Sequence, residues 1–165
     1  MSIHIRRTGH LVLRVKDLER SKQFFTDILG LELTGENDKG MLFFSSDFNA
    51  NHHMLAILQA KPGEAQQPDP QRQIGMHHVA YELASFADLR EAYRIFNENG
   101  VKIHQCVFHG VTKSIYFLDP DGNQLEVYCN VPNEEYASVP NPFSWYWSIE
   151  DELRGAPQKP GSVAP

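Results

Sequence analysis

Three side chains far apart in the chain, His10, His78 and Glu126, are of types that together suit a divalent metal. A neutral imidazole nitrogen is the commonest protein donor to metals, and a carboxylate adds an anionic oxygen. His10 opens "GHLVLRV", His78 opens "HVAYEL" 68 residues later, and Glu126 sits in "NQLEVYC" a further 48 residues on. Taken singly, a strand histidine is usually a satisfied hydrogen-bonding residue and a strand glutamate is half exposed. Two histidines at equivalent places in an internal repeat, with a carboxylate on the same expected face, are hard to explain by packing.

The elements that must position them occur twice. In the first copy, "GHLVLRVKDLERSKQFFTDILGLEL" predicts a strand from about Gly9 to Val15 and a helix from about Leu18 to Leu29, capped by Asp17 and ended by Gly30. In the second, "MHHVAYELASFADLREAYRIFNENGVKI" repeats the order, with Ser85 as cap, Leu89, Tyr93 and Phe96 as the buried stripe, and Gly100 as the stop. Short alternating strands follow in each copy: "GMLFFSS" and "HHMLAILQA", then "SIYFL" and "NQLEVYC" joined by the turn "DPDG". The class expected is α+β, two βαβββ modules with helices outside a curved mixed sheet. Module one spans about 5–60, a proline-rich linker 61–73 and module two about 74–131, within a single domain 1–133. A tail, 134–165, carries the aromatic stretch "NPFSWYW", a candidate lid or subunit contact, and is expected to end in disorder.

Alternation assigns the faces. Leu11, Leu13 and Val15 form an apolar row for the helix and leave His10, Val12 and Arg14 opposite; Val79, Tyr81 and Leu83 likewise oppose His78, Ala80 and Glu82. Leu125, Val127 and Cys129 oppose Gln124, Glu126 and Tyr128, so His10, His78 and Glu126 share the concave side. His77 should point the other way.

The 165 residues, 41% hydrophobic, suffice for one ordinary core, and a net charge of −6 without basic runs argues against nucleic acid and anionic membrane as partners and favours a small or neutral ligand. No apolar run approaches the ~20 residues of a membrane span, and "MSIHIRRTGH" lacks the apolar segment of a signal peptide; a cytoplasmic protein is expected. Cys106 and Cys129 are expected to be reduced core residues.

At these residues the chain resembles the vicinal oxygen chelate superfamily of glyoxalases, fosfomycin-resistance proteins and extradiol dioxygenases. The resemblance covers about Ile5 to Asn130 and rests on "GH", on "HHVAYEL" and most specifically on "IYFLDPDGNQLEVY". It implies a metal held in a cup by His10, His78 and Glu126. Glyoxalases and related epimerases carry a fourth ligand, Glu or Gln, at the place where the alignment of "MLAILQ" with "QLEVYC" puts Ala56. Alanine cannot bind metal, and two imidazoles with one carboxylate are the set used by non-haem Fe(II) enzymes that bind substrate and O2 together.

An extradiol ring-cleaving dioxygenase acting on a catecholic compound therefore ranks first, with Fe(II) as cofactor and Mn(II) as the other candidate. The alternatives are a fosfomycin-type thiol transferase, a glyoxalase-like lyase and a metal-free small-molecule binder like the bleomycin-sequestering members. By the same resemblance His53, three residues before Ala56, is the second-sphere histidine that handles protons, with His52 beside it as competitor, and His109 and Tyr116 in "HGVTKSIYFLDP" orient the substrate. Ring-cleaving members resemble two fused domains, so a chain with room for one is expected to form a homo-oligomer.

Overall fold

The computed structural model describes residues 3–64, 74–137, 141 and 147–155. The linker beyond Glu64, most of "NPFSWYW" and the end of the tail lie outside them. The chain divides into two compact units, Met1–Gln66 and Gln67–Pro165, and each is a βαβββ module, giving an α+β fold.

In the first unit β1 (Leu11–Val15), β2 (Glu32–Glu36), β3 (Leu42–Ser45) and β4 (Leu55–Gln59) form a sheet in the order β1-β4-β3-β2. The helix α1 (Leu18–Gln23) starts where expected: the Asp17 carboxylate accepts from the Arg20 N–H at 2.9 Å. Its last turn, Phe24–Ile28, is wider than α-helical, with the Leu29 N–H reaching the Phe24 carbonyl five residues back. The adjacent Phe24 and Phe25 are both buried there, and Phe25 packs on Phe44 at 6.0 Å. Gly30, at φ +68°, then reverses the chain in a conformation that disfavours any side chain.

The second unit repeats the plan with β5 (Val79–Glu82), α2 (Phe86–Glu98), β6 (Ile103–Phe108), β7 (Thr112–Leu118) and β8 (Gln124–Asn130). Ser85 caps α2, and Leu89, Tyr93 and Phe96 are its buried stripe, with the Phe96 ring 4.4 Å from Phe117. The "DPDG" turn is tied by Asp119, whose carboxylate accepts from the N–H groups of Asp121 and Asn123 and from the Asn123 amide at 2.7–2.9 Å. Burial pushes that carboxyl's pKa up, against the hydrogen bonds from Asn123. The turn fixes the β7–β8 register that sets Tyr116 opposite Glu126. Cys106 and Cys129 are free and buried. Among the described residues no helix is long and apolar enough to cross a membrane.

The tail holds packed elements that no periodicity in the sequence announces. A short helix α3 (Asn133–Tyr136) is followed, further on, by a two-residue strand β9 (Trp147–Ser148) that pairs with the edge of β6. The one-turn helix α4 (Glu150–Leu153) then buries Ile149 and Leu153, at 1% and 4% exposure. Polar contacts pin it: Lys113 Nζ lies 2.8 Å from the Glu152 carboxylate, and the Tyr93 hydroxyl donates to Glu150 at 3.1 Å. Ile149→Ala is therefore expected to lower the unfolding free energy by about 2–4 kcal/mol. Chemical denaturation checks this; a change within error would mean that the tail is not part of the core.

Candidate metal centre

Both expected histidine ligands lie just outside the strands assigned to them. His10 precedes β1 and His77 and His78 precede β5, so strand alternation does not govern where these rings point. His77, expected to turn away from His78, instead stands beside it, with the two Nδ1 atoms 2.7 Å apart. Alternation does hold farther along β1, where Leu13 and Val15 are buried and Val12 and Arg14 exposed.

In the second unit, four of the expected site residues come together. β5 runs parallel to β8 with Ala80 opposite Glu126, and β7 brings Tyr116 to the other side of Glu126. His78 Nε2 lies 3.0 Å from Glu126 Oε2. The Tyr116 ring meets the His78 ring edge-on at 5.1 Å, and its hydroxyl is 3.2 Å from His109 Nε2. His109 follows β6 at the tight turn into β7, where its N–H donates to the Thr112 carbonyl at 2.8 Å. A cavity of about 550 Å³ opens on this face, lined by Ala80, His109, Tyr116, Glu126, Tyr128 and Asn130 among others. Two of the lining side chains are tied to Glu82, whose carboxylate accepts from Asn130 Nδ2 at 2.5 Å and from the Tyr128 hydroxyl at 3.4 Å.

Glu126 is 6% exposed, and its one ion-pair partner among the described residues is His78. A buried carboxylate needs a counter-charge, and an imidazole nitrogen aimed at it supplies one only when protonated or when both bind a cation. The donor set thus fits a divalent metal. Among the described residues no three His, Cys, Asp or Glu side chains are gathered as a metal cage; the second unit holds two of the expected donors.

The third, His10, belongs to the first unit, where its ring lies 4.6 Å from that of His53. Asn51 Nδ2 donates to the Gly9 carbonyl at 3.0 Å and ties this loop to the entrance of β1. His53 is half-buried against His10 and Phe43, whereas His52 is exposed and meets His53 through its Nδ1. Burial, then the neighbouring charges of His52 and His10, holds the His53 pKa below the usual imidazole value.

The strand registers place Ala56 where the repeat puts it. Ala56 lies between Val12 and Phe43 as Glu126 lies between Ala80 and Tyr116. Phe43 thus occupies the place of Tyr116, an equivalence that sequence reading missed.

The chain matches known proteins along most of this length. The sequence model of the Glyoxalase/Bleomycin resistance protein/Dioxygenase superfamily matches residues 7–127. Biphenyl-2,3-diol 1,2-dioxygenase 3 of Rhodococcus globerulus is 32% identical over 121 residues, covering 73% of this chain and 62% of that protein. The chain thus spans less than two thirds of that relative's length. Metallothiol transferase FosB of Staphylococcus saprophyticus is 29% identical over 126 residues, with 75% and 77% of the two chains covered. Among solved structures, a glyoxalase/dioxygenase from Nostoc punctiforme shares the fold, with a TM-score of 0.65 at 21% identity over 80% of this chain and 99% of that one. The protein belongs to the glyoxalase/bleomycin resistance protein/dioxygenase superfamily, the vicinal oxygen chelate proteins.

Proposed function

We propose that the protein is an Fe(II)-dependent extradiol ring-cleaving dioxygenase that opens a catecholic aromatic compound with O2. The observation that carries this reading is the buried Glu126 carboxylate facing His78 Nε2 at 3.0 Å, with Tyr116 and His109 on the same cavity wall. His10, His78 and Glu126 would hold the metal, Fe(II) or Mn(II), which when bound supplies an electron path between a chelated catechol and O2. The name of the Rhodococcus relative supports the substrate class, since a biphenyl-2,3-diol is an aryl-bearing catechol.

The chain's own residues then supply proton handling and orientation. A neutral imidazole accepts a catechol proton near pH 7, and the lowered pKa of His53 favours that form. Protonated, His53 donates as the O–O bond breaks. The Tyr116 hydroxyl, fixed by His109 Nε2, is set to hydrogen-bond a substrate oxygen. The product is a ring-opened semialdehyde acid. Self-association into a homo-oligomer is part of this reading.

His53→Phe is expected to keep iron and catechol binding and to slow ring opening by about 10²–10⁴-fold, the worth of a positioned acid–base group. Single-turnover kinetics with parallel metal analysis check this. Loss of metal instead would make His53 a ligand.

A second reading, a metal-dependent thiol transferase acting on fosfomycin, is favoured by one observation: the match covers 77% of the FosB relative. Incubation with Mn2+, fosfomycin and glutathione, beside catechol with Fe(II), separates the two. Consumption of fosfomycin without catechol cleavage would replace the dioxygenase reading.

A further inference from the structure

The doubled histidine has no counterpart in the first copy. Where His77 precedes His78, Gly9 precedes His10 and offers only its carbonyl, which Asn51 occupies. His77 is therefore not demanded by the repeated fold, and it is exposed, so the core does not demand it either. Its Nδ1 nevertheless lies at the meeting point of two groups: His78 Nδ1 at 2.7 Å and the side-chain amide Nε2 of the buried Gln124 at 3.5 Å.

The protons can be counted. An amide NH2 only donates, so the Gln124 contact at 3.5 Å is compatible with an accepting His77 Nδ1. Of two facing ring nitrogens one must donate, and the donor is then His78 Nδ1–H. His78 in the Nδ1–H form leaves the Nε2 lone pair free, and that lone pair faces Glu126 Oε2, itself an acceptor, at 3.0 Å. This arrangement gives the single lone pair of His77 Nδ1 to His78 at 2.7 Å, with the Gln124 amide sharing it weakly at 3.5 Å, and leaves a place for a cation between His78 Nε2 and Glu126.

We propose that His77 is a positioning residue for the metal centre: it accepts the Nδ1–H of His78, fixes that ring's tautomer and aims Nε2 at the metal shared with Glu126. The inference rests on the reading of His78 and Glu126 as ligands. A supporting hydrogen bond on the far nitrogen of a ligating imidazole typically changes metal affinity by about 10–100-fold.

The test titrates Co2+ into metal-free parent, His77→Leu and His77→Gln proteins, read by Co2+ absorption and by chelator competition. His77→Leu should bind Co2+ about 10–100-fold more weakly, with the melting of the metal-free protein unchanged. His77→Gln, whose carbonyl can still accept, should recover most of the loss. In the Zn2+-loaded parent, nitrogen-15 NMR should find the His78 proton on Nδ1, hydrogen-bonded. Parent-like Co2+ affinity in His77→Leu, or an equal loss in both variants, overturns the positioning role while catechol cleavage by the parent still stands. A parent that binds no Co2+ overturns the role and the ligand reading together.

Discussion

Glu126→Ala is expected to leave a protein that folds as the parent does but retains little metal and none of the proposed ring-cleaving activity. Glu126 is central in its sheet, paired with Ala80 on one side and Tyr116 on the other. Truncation removes a buried charge and little apolar volume, and His78, with its side chain 29% exposed, can turn to water for its lost partner. As the sole carboxylate of the proposed set, Glu126 matters more to the metal than any supporting hydrogen bond. The loss of affinity should therefore exceed the about 10–100-fold that removing such a bond costs. Metal analysis of the variant, with thermal melting of both metal-free proteins, checks this; unchanged metal content would remove Glu126 from the ligand set.

Ala56→Glu is the opposite experiment, adding a donor where the fold has a methyl group. Leu13 and Val15 are buried and Leu13 pairs with Ile57, whereas Ala56 pairs with Val12 and Phe43 and so lies on the other face of β4. Its register is that of Glu126 in the second copy. A glutamate there should act as a fourth ligand, as in the glyoxalase pattern, and too few positions then remain for a chelating catechol and O2 together. Metal affinity should hold or rise while ring cleavage collapses. Ala56→Leu fills similar space without a donor and separates crowding from coordination, and melting of both metal-free variants reports the cost of filling a site only 1% exposed. A Glu variant that cleaves catechol at the parent rate would show that Ala56 does not face the metal.

What the sequence disclosed followed from its repetition. Caps at Asp17 and Ser85, helix stops at Gly30 and Gly100, and the Leu89, Tyr93, Phe96 stripe each rest on local chemistry, and the structure has them all. Even the bulges repeat, at Leu33/Gly35 and at Ile103/Gln105. The failures share a cause: a local rule was carried past the element it governs. Alternation was extended two residues before β5, where no ladder fixes the side-chain direction, and so it misdirected His77. Helical periodicity gave no sign of the wide turn at Phe24–Ile28, which depends on burying two adjacent phenylalanines. A two-residue strand and a single helical turn, β9 and α4, are too short to have a period at all. In the proposed site, the face of Glu126 was read from alternation within its strand and Tyr116 and His109 from the family resemblance, whereas the Gln124–His77–His78 chain exists only in three dimensions.

The most direct measurement of whether this is an iron-dependent ring-cleaving enzyme uses protein purified without oxygen, analysed for iron and then mixed with O2 and catechol or 2,3-dihydroxybiphenyl. The expected result is bound Fe(II), oxygen uptake that matches the diol consumed, and the absorbance of a ring-opened semialdehyde, all lost together in Glu126→Ala. Protein reconstituted with Fe(II) that holds the metal yet yields no ring-opened product from either diol would contradict it.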